Sequence, residues 1–145
     1  MTYKKLPILL KPVLALDVEF IEASVLFSLK PISPLGDIDP DRGVINDPES
    51  NVKGENVARK ILVTPYFRGS TVGPYILFAL YRKKQAPSMI VVERTDPMLI
   101  TGCVISKIPL YKAKNILSFK ELSGLKVKIT RSGEVYVKER SISSS

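Results

Sequence analysis

Ile61-Leu62-Val63-Thr64-Pro65-Tyr66-Phe67-Arg68-Gly69-Ser70-Thr71-Val72-Gly73-Pro74-Tyr75-Ile76-Leu77-Phe78-Ala79-Leu80 changes character twice along its length. It opens on a β-branched apolar run, passes through small and polar residues, and closes on a longer apolar stretch. The first part predicts a strand from about Lys60 to Thr64 and the last a helix from about Val72 to Lys84. Pro74 fits the first helical turn, where its missing N–H has no partner to lose. Ser88 to Glu93 follows as a short continuous apolar run, as expected of a parallel strand buried on both faces. Strand, helix and strand in that order predict a right-handed crossover at the centre of the fold.

The turn inside that unit, Arg68 to Gly73, is the one place where the chain looks built for chemistry. Small residues let the backbone approach a ligand, successive N–H groups and the positive end of the following helix favour an anion, and Arg68 adds a fixed charge. A tight connection whose glycines serve only the turn accounts for the same residues. The spacing matches neither a Walker loop nor a dinucleotide fingerprint. A ligand of an α/β sheet is expected at the carboxyl ends of its strands, which is where this turn lies.

Outward from the crossover, Pro12 to Asp17 and Ile21 to Leu29 read as strands. Lys30 to Lys53 is dense in turn formers and reads as a long loop, with Ile32, Leu35, Ile38, Val44 and Ile45 marking it as ordered and docked. Asp96-Pro97 opens a second, shorter helix with Asp96 as its N-cap, and Ile108 to Tyr111 returns as a strand. Leu125 to Thr130 and Glu134 to Lys138 alternate on either side of Arg131-Ser132-Gly133, a β-hairpin pattern. Ser141 to Ser145 reads as a frayed polar tail. The expected fold is α/β mixed: a single β/β/α domain over residues 1–145 with a central strand-helix-strand crossover and a C-terminal β-hairpin.

Length and composition agree, since 145 residues with 45% hydrophobic content suit one domain with a sizeable core. No apolar run approaches the roughly 20 residues that span a bilayer, and the start, soon interrupted by Lys11-Pro12, is a poor signal peptide. The expectation is a cytoplasmic chain that does not meet a membrane. The only cysteine is Cys103 and there is no histidine. The chain therefore lacks the commonest general base and metal ligand, and a self-contained hydrolase triad is excluded. A lone cysteine does not hold an iron–sulfur cluster, which needs about four ligands. A subunit is expected in preference to a complete enzyme.

Lys and Arg number 22 against 14 Asp and Glu, a net charge of +8. Nucleic acid is not the expected partner, because the basic residues are scattered and no RNP-like, zinc-finger or basic-heptad motif accompanies them. The same charge attracts small anionic metabolites or an acidic partner subunit.

Four ordered stretches carry a resemblance: Pro34 to Ile45, Ile61 to Gly73, Lys84-Gln85-Ala86-Pro87, and Thr101 to Leu110. Together they resemble the small, swivelling domain of aconitase X, over Leu29 to Leu110 and more weakly over the final hairpin. The resemblance implies a hydro-lyase whose large partner subunit carries a 4Fe-4S cluster. For a stand-alone small chain it implies dehydration of (R)-5-phosphomevalonate to trans-anhydromevalonate 5-phosphate in archaeal isoprenoid synthesis. It also implies that Ser70 is the proton acceptor, with Arg68, Gly69 and Thr71 at the substrate, a small phosphorylated hydroxy acid. A related aconitase X hydro-lyase acting on another hydroxy acid, such as a hydroxyproline, shares these motifs. The charge alone is compatible with a non-enzymatic basic binding module.

Overall fold

The computed structural model describes residues 2–68 and 71–138; Gly69, Ser70 and the tail at 141–145 lie outside the described residues. Four parallel strands form the centre in chain order: β3 (Phe20–Phe27), β4 (Ile61–Val63), β5 (Met89–Val92) and β6 (Leu110–Lys112). Every residue of β4 and β5 is buried, which is why these strands read as unbroken apolar runs. β3 alternates at its start and is continuously buried at its end. Its first part pairs with β7 (Lys126–Thr130) and its last part with β4, so one strand belongs to two layers. β7 continues into β8 (Glu134–Lys138) as the expected hairpin.

The sequence reading missed β1 (Tyr3–Leu9), which pairs antiparallel with β8, Tyr3 opposite Lys138. Its lysines and Pro7 weaken the strand pattern, and Pro7 falls where the register with β8 shifts, as prolines on edge strands commonly do. β2 (Lys11–Leu14), expected as Pro12 to Asp17, pairs with β6. The strand order is β1-β8-β7-β3-β4-β5-β6-β2, and only Leu10 separates the first strand of that order from the last. The sheet is thereby joined to itself, with β3 at one corner and Leu10 at the other.

Leu10 is buried, and its N–H donates to the Gly133 carbonyl at 2.9 Å. Gly133, at φ +99°, has no room for a side chain, because a Cβ there would sit 2.0 Å from the Leu10 carbonyl oxygen. Inside the closed sheet Val25, Val63, Val91, Tyr111, Phe119 and Ile129 belong to one core. A 3₁₀ helix over Ile116–Leu122, also unread in the sequence, contributes Ile116, Phe119 and Leu122 to it. The fully buried Tyr111 donates its hydroxyl to the Arg131 carbonyl at 2.6 Å and accepts from the Leu16 N–H at 3.1 Å. Tyr111→Phe leaves the Leu16 N–H short of a buried hydrogen bond and the Arg131 carbonyl short of a part-buried one, and we expect a loss of about 1–3 kcal/mol. A lowered denaturant midpoint at constant m-value checks this; an unchanged midpoint contradicts it.

A second core lies on the opposite face of the parallel strands, beneath α2 (Gly73–Arg82), α3 (Pro97–Ile105) and the long segment after β3. Ile32, Ile38 and Ile45 of that segment are buried in it, whereas Leu35 is 56% exposed. The segment docks as expected but contains a kinked helical turn, α1 (Pro34–Asp37). α2 and α3 approach closely at Gly102, where a Cβ would lie 2.8 Å from Leu77 Cδ1 and 3.1 Å from Pro74 Cα. That contact fixes the start of α2, and with it the exit of the Arg68 turn.

Candidate active-site edge

The carboxyl ends of the parallel strands are tied to one another by side-chain and main-chain hydrogen bonds. Ser28 Oγ at the end of β3 and Thr64 Oγ1 at the end of β4 both donate to the Lys30 carbonyl, at 2.7 and 3.0 Å. Ser28 and Thr64 are buried, so each hydroxyl takes the partner that a buried polar group requires. The Lys30 ammonium meets Asp47 at 2.5 Å and Glu49 at 3.5 Å. These contacts hold the Asp47 carboxyl below its ordinary range: the Lys30 hydrogen bond acts most, then the Glu49 N–H, with the charge of Arg68 also contributing.

Phe67 and Arg68 are held from the other side. Ile32 forms a parallel bridge with Phe67, accepts from the Arg68 N–H at 2.8 Å, and donates to the Tyr66 carbonyl at 3.2 Å. The Arg68 main chain is therefore fixed while its side chain is exposed. Pro34, Phe67, Arg68, Gly73, Asp96 and Leu99 line a narrow cleft at this point. Thr71 is exposed just ahead of α2, whose N-cap residue Val72 offers no side-chain acceptor to the first helical N–H groups. Gly69 and Ser70 fall within this turn but outside the described residues.

At the end of β5, Glu93 and Arg94 both donate their N–H groups to the Pro65 carbonyl, and the Arg94 guanidinium stacks 4.0 Å above the Tyr66 ring. Asp96 caps α3 as the sequence indicated, accepting from Met98 and Leu99 at 2.8 and 3.1 Å. Lys30, Arg68 and Arg94 thus follow three neighbouring parallel strands at the same edge. Only Arg68 was singled out in the sequence. Lys30 and Arg94 carry the same signal, a cation directly after an apolar strand, but it becomes specific only once the strands are known to be adjacent. Lys30 is already engaged by Asp47 and Glu49, so Arg68 and Arg94 are the cations at this edge that can orient and stabilise an anionic ligand.

The described residues offer no ligand set for an iron–sulfur cluster. Among the described residues no group of acidic or cysteine side chains converges to hold a metal. Cys103 is buried in α3, and burial pushes its thiol up to about 12, so the free thiol stays protonated at neutral pH. No helix among the described residues is long and apolar enough to cross a membrane.

A sheet joined to itself, helices packed on its parallel half and a cationic carboxyl edge together define a β/β/α domain of the swivelling class. The aconitase X swivel domain profile matches residues 15–138. The chain belongs to the aconitase X swivel domain family. It is 46% identical over 118 residues to the phosphomevalonate dehydratase small subunit of Pyrococcus abyssi, covering 81% of this chain and 89% of that one. With the protein of the same name from Methanopyrus kandleri it shares 39% identity, over 90% of this chain and 97% of the other. The crystal structure of Thermococcus kodakaraensis aconitase X in its holo form superposes with a TM-score of 0.79 at 36% identity, covering 91% of this chain and 98% of that one. A solution NMR structure of a UPF0107 protein matches with a TM-score of 0.78 at 30% identity, covering 94% of this chain and 100% of that one.

Proposed function

We propose that this chain is the small subunit of a cytoplasmic archaeal hydro-lyase that dehydrates (R)-5-phosphomevalonate to trans-anhydromevalonate 5-phosphate, acting as a single swivelling domain. The observation that carries this reading is near full-length similarity to proteins named phosphomevalonate dehydratase small subunit, at 36–46% identity. The cationic edge agrees with it, since the substrate bears a carboxylate and a phosphate. The similarity favours this substrate over a hydroxyproline, and a catalytic subunit over a basic binding module.

In this reading the larger subunit holds the 4Fe-4S cluster, which supplies Lewis acidity at the leaving hydroxyl. This chain supplies the other half. Ser70 Oγ, as its alkoxide, would take the proton from the carbon beside the substrate carboxylate; the C–H electron pair becomes the new C=C bond, and the hydroxyl leaves with the C–O pair and departs as water on taking a proton from solvent. A serine hydroxyl is a poor base unless its alkoxide is stabilised, and the helix N-terminus, the turn N–H groups and Arg68 are placed in sequence to do so. Arg68 also offers a planar fork to the carboxylate, while Gly69 and Thr71 shape the turn against the substrate.

Co-expression with the larger subunit tests the assignment. We expect the complex to contain iron and to consume 5-phosphomevalonate, followed by phosphorus NMR, and the isolated chain to do neither. Turnover by the small subunit alone overturns the split site.

A further inference from the structure

We propose that the larger subunit is held by apolar contact at the carboxyl edge, through Leu29, Leu35 and Tyr75, and not by the net positive charge of this chain; that a larger subunit covers this edge rests on the function proposed above. Leu29 is 58%, Leu35 56% and Tyr75 70% exposed. Exposed apolar side chains scattered singly are ordinary. These three are informative because they share one edge: Leu29 follows β3, Leu35 lies in α1, and Tyr75 stands in the first turn of α2. α1 itself reaches the start of α2, with Pro34 Cγ 3.6 Å from the point that a Cβ on Gly73 would occupy.

The fold holds each of them outward. The Leu29 N–H donates to Asn51 Oδ1 at 3.0 Å and Asn51 Nδ2 donates to the Phe27 carbonyl at 2.9 Å, so the Asn51 amide takes the place of a strand partner and fixes the Leu29 main chain. Leu35 is carried between Ile32 and Ile38, both buried, on a turn that Asp37 closes: its carboxylate accepts from the Ser33 N–H at 2.7 Å and its own N–H donates to the Ser33 carbonyl at 3.1 Å. Side chains on a main chain fixed in this way have little backbone freedom to lose on docking. Tyr75 and the exposed Arg68 and Arg94 are also the residue types that interface centres favour. Charge points elsewhere. Lys30 is taken up by Asp47 and Glu49, and Arg59, Lys60 and Lys126 gather at the opposite, amino ends of these strands. A partner drawn to those cations leaves the carboxyl edge open. The partner that brings the metal ligands the described residues lack has to cover that edge instead, and the surface it lays on Leu29, Leu35 and Tyr75 is apolar.

The test dilutes the assembled complex and reads its dissociation constant from the fraction of free subunit, in wild type and with Leu35→Ser or Tyr75→Ser in this chain. We expect each substitution to weaken assembly by about ten- to a thousandfold, and kcat at saturating subunit concentration to stay near that of wild type. The wild-type constant is expected to rise by less than about threefold between roughly 0.1 and 1 M salt. Phe20→Ser serves as the control and is expected to leave assembly unchanged, because Phe20 is 48% exposed on the antiparallel half, where Lys128 Nζ stands 4.6 Å from its ring. Undiminished assembly of the Leu35→Ser and Tyr75→Ser complexes overturns the proposal, as does a wild-type constant that climbs steeply with salt, the mark of a charge-held interface. So does a loss of kcat with assembly intact, which assigns these side chains to the reaction. An isolated chain that sediments as a dimer, split by Leu35→Ser while assembly with the larger subunit is unaffected, gives the surface to a second copy and also overturns it. A complex that shows the expected pattern yet leaves 5-phosphomevalonate unconsumed supports the surface and overturns the assigned reaction alone.

Discussion

Ser70→Ala in the assembled complex is expected to lower turnover by roughly 10²–10⁴ while iron content and substrate binding persist, the usual consequence of removing a general base. The competing role for this hydroxyl is that of a helix cap, and the two are separable by magnitude. A lost cap costs about 0.5–2 kcal/mol of stability and leaves the surviving folded complex close to normal turnover. The α2 N-terminus sharpens the contrast, because its N-cap residue is Val72, whose own side chain makes no capping hydrogen bond. Measuring kcat on complex of verified iron content, alongside thermal unfolding, reads both quantities from one preparation. Near-normal kcat in a fully assembled Ser70→Ala complex rules out the proposed base.

Gly133→Ala is expected to cause the largest stability loss, roughly 3–5 kcal/mol, a large part of the about 5–15 kcal/mol that holds a typical domain together. Two effects combine. The residue sits at φ +99°, a region that costs a side-chain-bearing residue about 1–2 kcal/mol. The added methyl would also lie 2.0 Å from the Leu10 carbonyl oxygen and 2.8 Å from its carbonyl carbon. Those atoms are main chain and cannot rotate away as a side chain would. The Leu10 N–H to Gly133 carbonyl bond must therefore stretch or break, and with it the junction that joins β1 to β2. Chemical denaturation measures the loss; a change below about 1 kcal/mol shows that the closure is less constrained than this geometry requires.

Much of the fold was legible because its signals are local. The unbroken apolar runs of β4 and β5 reported burial on both faces, Asp96-Pro97 announced the start of α3, and Arg131-Ser132-Gly133 announced the hairpin. The register of closure was not legible, since nothing near Leu10 states that it will meet Gly133. β1 escaped notice for a related reason: its Lys4, Lys5 and Pro7 are ordinary for an edge strand yet erase the alternation by which strands are recognised. The 3₁₀ helix has too short a period and length to leave a clear pattern. At the site, Arg68 stood out beside its glycines, whereas Lys30 and Arg94 gain meaning only from strand order.

The pairing of Tyr3 with Lys138 also governs how the chain is made. β1 leaves the ribosome long before its partner β8, so it waits while the residues between Tyr3 and Lys138 are made, on the order of ten seconds at about 5–20 residues per second. Until then the β3 to β6 core has an open flank. Contacts this distant along the chain make for slow folding, and the rate-limiting event is expected to be capture of the waiting N-terminal ribbon by the finished hairpin. A nascent chain halted before the hairpin emerges should consequently remain protease-sensitive, however complete its crossover.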